Sequence, residues 1–283
     1  MKTITKIFIL IFIGWLALTT IFYFNKGSKK LEVNFLDVGQ GDAILIITPE
    51  QQKILIDGGP DDNLINKLGP YFNFGDRTID LMILTHPHSD HLVGLVEVLE
   101  RFKVKKVLYN GPAQTTPEYL EWSELITEQQ IPQEIPQAGQ EYFFSDDIKL
   151  KIIYPFNDLT NIEPDDLNEN SLVCQLSYGE IDFLFTGDLP QKEEQQILNS
   201  GLTIDSEVLK VGHHGSQYSS GEDFIREASP KTAIIQVGVD NKFNHPHLLT
   251  LRRYQRQKIQ VLRTDLKGTI TVFSNGQEYW LNP

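Results

Sequence analysis

All seven histidines of this 283-residue chain fall in three short stretches: His86, His88 and His91; His213 and His214; His245 and His247. Histidines used for packing would be scattered. The first stretch, Thr85-His86-Pro87-His88-Ser89-Asp90-His91, follows an apolar run over 79–84. It opens a segment, 91–102, with Leu92, Leu95, Val96 and Leu99 at the spacing of one buried helical face. This part of the chain is therefore expected to fold as buried strand, turn and helix. Three imidazoles and a carboxylate crowd the turn. Imidazole and carboxylate are ordinary ligands of zinc and other first-row divalent metals. A histidine-rich loop with Asp90 as helix cap is the bland alternative, and the spacing of four donors within six residues weighs against it.

The rest of the chain alternates short apolar runs with turn residues. Strands are expected over 31–38, 43–48, 53–57, 79–84, 104–109, 148–154, 172–177, 181–186, 207–211, 233–237, 260–263, 269–273 and 278–281. Helices are expected over 61–68, 91–102, 116–130 (Thr116 as N-cap, Pro117 in the first turn), 191–198, 221–228 and 248–257. The Asn- and Asp-rich stretch 157–170 reads as a loop. Clustered strands with helices between them make an α/β fold of two sheets with helices outside. One domain over 31–283 is the simplest organisation.

Composition narrows the function. A single cysteine, Cys174, excludes a disulfide scaffold, a Cys-rich zinc finger and a CxxC redox centre. The net charge of −13 argues against a non-specific polyanion binder. Residues 110–208 carry 3 Lys/Arg against 20 Asp/Glu, whereas 209–283 carry 10 against 6. Arg252, Arg253, Arg256 and Lys258 give the last quarter a basic helix, which on charge alone is a solvated face.

Between Lys6 and Lys26 lie 19 residues without a charge. At about 1.5 Å per residue they nearly cross a hydrocarbon core of about 30 Å. The run is longer than a signal-peptide core and lacks an A-x-A site, so a single-pass anchor is favoured over a cleaved signal peptide. The expected organisation is a tail 1–6, a transmembrane signal-anchor 7–25, a linker 26–30 and a globular domain 31–283. Flanking lysines on both sides leave orientation undecided. The short tail favours a cell-membrane protein with its globular part extracytoplasmic.

HPHSDH fits the HxHxDH motif of the metallo-β-lactamase superfamily. Other marks follow in order: Asp57-Gly58-Gly59, Thr186-Gly187-Asp188, and Val211-Gly212-His213-His214-Gly215-Ser216. Asp37-Val38-Gly39-Gln40-Gly41-Asp42-Ala43, Asn170-Ser171-Leu172 and Asn244-His245-Pro246 further resemble the soluble hydrolase domain of ComEC-type DNA-uptake competence proteins. The resemblance covers essentially all of 31–283. It implies an αββα sandwich of two mixed sheets and a centre for two divalent metal ions, zinc or manganese. It places His86 and His88 on metal 1, Asp90 and His91 on metal 2, and Asp188 between them. His213 is the preferred further ligand, with His214 as the alternative, because adjacent residues on an extended chain face opposite ways.

Asp57 is expected either to orient a ligand histidine or to serve only the turn. Asp37 and Asp42 are turn formers or pocket-lining groups. His245 is expected to reach substrate or donate a proton, and His247 to be a surface residue. Many members of the superfamily place another metal histidine between HxHxDH and the bridging aspartate. No histidine lies between 91 and 213 here, so metal 1 is expected to hold His86, His88 and Asp188 with waters or an oxygen of Asn170.

The implied activity is hydrolysis by a metal-activated water, with Asp90 and His245 as the catalytic groups beside the metals. A phosphodiesterase or nuclease acting on single-stranded DNA or another phosphodiester is favoured. It would be anchored beside a separate DNA-uptake channel protein. A hydrolase of a small ester, lactone, thioester or amide is the alternative. A non-enzymatic surface protein that kept the fold would be expected to have lost some of these ligands.

Overall fold

The computed structural model describes residues 30–73, 75–160 and 166–282. The expected anchor over 7–25 lies outside them. No helix among the described residues is long and apolar enough to cross a membrane. The described residues form two large mixed sheets. One runs in the order Tyr279–Leu281, Ile270–Ser274, Leu31–Phe35, Ile44–Ile47, Lys53–Ile56, Leu81–Leu84, Val107–Tyr109, Gln133–Glu134. The other runs Gln260–Arg263, Thr232–Ile235, Val208–Lys210, Ile181–Phe185, Val173–Tyr178, Ile148–Tyr154, Glu141–Phe143.

The layers follow from two-residue periodicity in strands that are apolar on both faces. In Ile44–Ile47, Ile44 and Ile46 face the core between the sheets, while Leu45 and Ile47 face outward. Leu81 and Ile83 likewise face inward, Met82 and Leu84 outward. The outer face of the first sheet is covered by helices Asn63–Leu68, Ser89–Arg101 and Pro117–Glu128. Helices Gln191–Ser200, Glu222–Ala228 and Leu248–Arg256 cover the second. The architecture is αββα.

Several elements differ from expectation. The strand expected over 79–84 is split, because the Asp80 carboxylate turns aside to accept from Lys53 N at 2.8 Å and Lys105 Nζ at 2.7 Å. Its first part, Thr78–Ile79, pairs instead with Lys103–Val104, which splits the strand expected over 104–109 as well. Thr116 precedes its helix in extended conformation, but its hydroxyl makes no capping bond; Pro117 alone marks the start. Part of the expected loop over 157–170 is a single turn, Leu167–Asn170, capped by Asp166. Strands Gln133–Glu134 and Glu141–Phe143 and the turn of helix Thr264–Lys267 carry too little apolar periodicity to be read from sequence.

What matters for function is strand direction. Lys53–Ile56, Leu81–Leu84 and Val107–Tyr109 run parallel, as do Ile181–Phe185, Val208–Lys210 and Thr232–Ile235. Parallel strands carry their loops to one end, where ligands collect in open α/β sheets. Residues 57, 86–91, 188 and 213–214 all follow the C-terminal ends of these strands.

Two close contacts set those loops. Gly58 N donates to His91 O at 2.7 Å and Gly94 N to Gly59 O at 3.2 Å, so the turn after Asp57 lies against helix Ser89–Arg101. A Cβ on Gly94 would run into the Gly58 carbonyl. Gly94→Ala is therefore expected to destabilise the fold by about 1–3 kcal/mol despite its better helix propensity. Thermal unfolding checks this.

The second contact is buried Glu194, which accepts from Ser220 N at 2.6 Å and Gly221 N at 2.8 Å and so clamps the loop downstream of His214. Burial lifts its carboxyl to about 7, against an ordinary 4.5, although both backbone N–H groups and Arg253 oppose the shift. The folded state thus binds more protons than the unfolded one between pH 4.5 and 7. The stabilisation is full below pH 4.5 and is lost as pH rises through 7, a swing of about 3 kcal/mol. Glu194→Gln removes the titration while giving up one of the two acceptor oxygens, a cost independent of pH. The stability of wild type relative to this variant is expected to fall by that amount from pH 4.5 to 8, as followed by denaturant unfolding.

Candidate metal centre

The centre is best built outward from Asp57. Its backbone is in the left-handed region at φ 58°. Both carboxylate oxygens are used: Oδ1 accepts from Thr85 N at 2.8 Å, and Oδ2 from Thr85 Oγ1 at 2.7 Å and His91 Nδ1 at 2.8 Å. With His91 Nδ1 donating there, its Nε2 is the nitrogen turned toward Asp188 Oδ2, 3.4 Å away. Thr85 Oγ1 has spent its hydrogen on Asp57, so at 3.1 Å it accepts from His86 Nδ1. This leaves His86 Nε2 as a lone pair, 3.0 Å from His88 Nδ1.

The turn Gly212–Gly215 supplies a third nitrogen. His213 and His214 are both left-handed (φ 48° and 51°), not extended as expected. His214, not His213, is the buried one. Its Nδ1 donates to Gln236 O at 3.0 Å, and its Nε2 lies 3.2 Å from Asp90 Oδ2 and 3.3 Å from Asp188 Oδ2. His213 Nε2 stands 3.8 Å from Asp188 Oδ2 at the rim. The turn thus sets His214, the alternative, beside Asp90 and Asp188, and the preferred His213 at the rim.

These separations suit a metal. Two ligand atoms bound tetrahedrally at ~2.0–2.1 Å lie about 3.3 Å apart. His91 Nε2, His214 Nε2 and Asp188 Oδ1 are buried without a hydrogen-bond partner, although carboxylates stand near both nitrogens. The groups His86–His91–Asp188 and Asp90–His91–His214 each bring three ligand atoms within 4.8 Å of one another. Asp188 and His91 adjoin both sets.

Lys210 is the residue that sequence reasoning missed. Its ammonium is buried, donating to Asp42 and to Gly187 O at 2.8 Å, and lies 3.5 Å from Asp188 Oδ1. Asp42 Oδ1 in turn stands 3.3 Å from His214 Nδ1. A lysine ending an otherwise apolar strand, Val208–Lys210, was the only signal. Burial would lower the Lys210 ammonium, but Asp42 and Asp188 raise it, so it stays charged.

Asp42 and Asp188 stand beside this lysine, Asp57 beside His91 and Asp90 beside His214, so four carboxylates gather in one pocket. Burial would raise the Asp188 carboxyl, yet His214, His91 and His213 hold it well below the ordinary range. Burial would lower His91 and His214. Asp188, with Asp57 at the first and Asp42 at the second, raises both well above the ordinary imidazole value. Those protons occupy positions that a divalent cation would claim. The donor set of imidazole nitrogens and carboxylate oxygens therefore fits such cations.

Other expected residues lie elsewhere. The Asn170 backbone carbonyl accepts from Asn110 Nδ2 at 2.6 Å, and its side-chain nitrogen is buried and without a hydrogen-bond partner. The neighbouring Ser171 lies behind the histidine, its Oγ 3.5 Å from His86 Nδ1 and accepting from Asp188 N at 3.1 Å. Asp37 contacts Gly39 N and Lys67, not the centre. His245 lies at the rim, its ring 5.5 Å from that of His213, and burial lowers it to about 4. His247 Nδ1 caps its helix by accepting from Leu249 N at 3.2 Å. In the basic helix, Arg253 is used on the carbonyls of Gln217, Ser219 and Ser220, and Arg256 on Glu222.

Comparison with known proteins adds an independent observation. A model of the metallo-beta-lactamase superfamily matches residues 36–239. ComE operon protein 3 of Bacillus subtilis is 33% identical over 262 residues, covering 86% of this chain and 33% of that protein. Competence protein ComA of Neisseria gonorrhoeae is 30% identical, covering 86% of this chain and 32% of its own length. The chain thus spans about a third of the length of these curated relatives. Among solved structures, the diiron β-hydroxylase CmlA of Streptomyces venezuelae superposes with a TM-score of 0.55 at 13% identity. That match covers 86% of this chain and 54% of CmlA, and at that identity it speaks to the fold alone.

Proposed function

The chain belongs to the metallo-beta-lactamase superfamily of metal-dependent hydrolases, and from that membership and the site geometry we propose that it cleaves phosphodiester bonds in DNA. The observation that carries the hydrolytic part of this reading is Asp188, whose carboxylate stands between the His86 side and the Asp90–His214 side of one buried pocket. His86 and His88 would hold one cation; Asp90, His91 and His214 would hold the other, with Asp188 shared. Sulfur is absent from this donor set, which suits zinc and manganese alike. When bound, such a pair supplies an activated water at neutral pH and Lewis-acid stabilisation of the attacked centre.

The protein's own groups do the rest. Asp57 and Gln236 fix the tautomers of His91 and His214. Lys210 and Ser171 hold Asp188 from behind. His245 and His213 stand at the open side as neutral imidazoles, where they would contact the substrate. The names of the competence-protein relatives support DNA as substrate. With residues 7–25 as a single-pass anchor, the domain would act outside the cytoplasm beside a separate uptake channel.

The test is hydrolysis by the full-length chain of single-stranded DNA, a bis-aryl phosphodiester and a lactone, with Mn²⁺ or Zn²⁺. Both phosphodiesters are expected to be cleaved, and chelation to stop it. Turnover of the lactone alone would replace this reading with that of a small-ester hydrolase.

A further inference from the structure

A row of rings leads out of the centre. His213 Nε2 stands 3.8 Å from buried Asp188. The His245 ring meets the His213 ring edge-on at 5.5 Å, and Phe243 stacks on His245 at 5.9 Å and 26°. Exposure grows along the row, from Asp188 at 2% to Phe243 at 52%. At its outer end Lys242 Nζ lies 5.2 Å over the Phe243 ring.

The loop that carries Phe243 and His245 is braced. Asn241 Nδ2 donates to Gly238 O at 3.0 Å and His245 O at 2.7 Å, while its Oδ1 accepts from His245 N at 3.0 Å. One side chain thus ties both ends of the loop, and Phe243 projects from a fixed frame. About half of the Phe243 surface is open to solvent, so a flat partner that covered it would gain hydrophobic free energy. Its place beside a hydrolytic centre, with an ammonium over its face, gives that partner a chemistry: a flat π-system joined to an anion.

We propose that Phe243, stacked on His245 and flanked by Lys242, is a base-stacking platform for the nucleotide next to the scissile phosphate of a single-stranded polynucleotide. This rests on the phosphodiesterase reading for the identity of the anion. Duplex DNA, whose bases are already stacked, offers no free face to Phe243, so the platform selects single strands. Stacking is tolerant of sequence because every base has a π-face.

The test uses the full-length chain with a labelled oligothymidylate and the same oligomer made abasic at every position, so that charge is constant. Binding is measured without added metal, and cleavage with it. Wild type is expected to bind the base-bearing oligomer about 5- to 100-fold more tightly, the range for stacking one base on a ring. Phe243→Ala should lose that preference while keeping the abasic affinity, and Phe243→Trp should restore it. Cleavage without base preference would overturn the platform and leave the phosphodiesterase reading standing. Base preference in binding without cleavage would do the reverse. Neither binding preference nor cleavage would overturn both.

Discussion

Asp188→Asn is expected to lower hydrolysis by on the order of 10³-fold or more, beyond the usual cost of removing one electrostatic donor. The reason is geometric. Asp188 lies within 4.8 Å of the His86 ligand nitrogen on one side, and its Oδ2 is 3.3 Å from His214 Nε2 on the other, so both halves of the pocket would lose a shared negative ligand together. Asn keeps the size and leaves the Lys210–Asp42 pair and the Ser171 bond to the backbone in place. The fold should therefore survive, and circular dichroism with metal analysis would separate the two effects. Asp90→Asn, which touches only the His214 side, should lose one cation rather than two. Full metal content and full activity in Asp188→Asn would remove the bridging role and the chemistry built on it.

The second large effect distinguishes adjacent residues. His214→Ala is expected to weaken the cation held with Asp90 and His91 by at least about 100-fold, the upper end of what even an outer partner contributes. Activity should fall with it. His213→Ala, at the rim, should cost about tenfold or less and leave metal content unchanged. Isothermal titration with Mn²⁺ or Zn²⁺ reads both. If His213→Ala removes the metal and His214→Ala does not, the left-handed turn at 212–215 has been assigned the wrong inward-facing side chain.

That turn also shows where sequence reasoning stops. HPHSDH was legible because a strand end and a helix start bracket it within a few residues, and local spacing fixes how its donors converge. The layers were legible because strands such as Ile44–Ile47 and Leu81–Leu84 are apolar on both faces. The choice between His213 and His214 rested on an extended backbone, and positive φ at both residues defeats that rule. Lys210, Asp42 and Ser171 meet Asp188 or His214 only because separate strands bring their ends together. No local pattern encodes that meeting. Two-residue strands such as Lys103–Val104 escape for the same reason: their partner, Thr78–Ile79, is set by topology and not by their own composition.

The central claim is that one pocket holds two cations and that both are needed. It is tested most directly by stripping the full-length chain with chelator and restoring Mn²⁺ or Zn²⁺ stepwise. Bound metal per chain is measured at each step alongside cleavage of single-stranded DNA. Activity is expected to be absent in the stripped protein and to rise to its maximum as the second equivalent binds. Cleavage that persists without metal, or that is complete at one equivalent, would contradict the account.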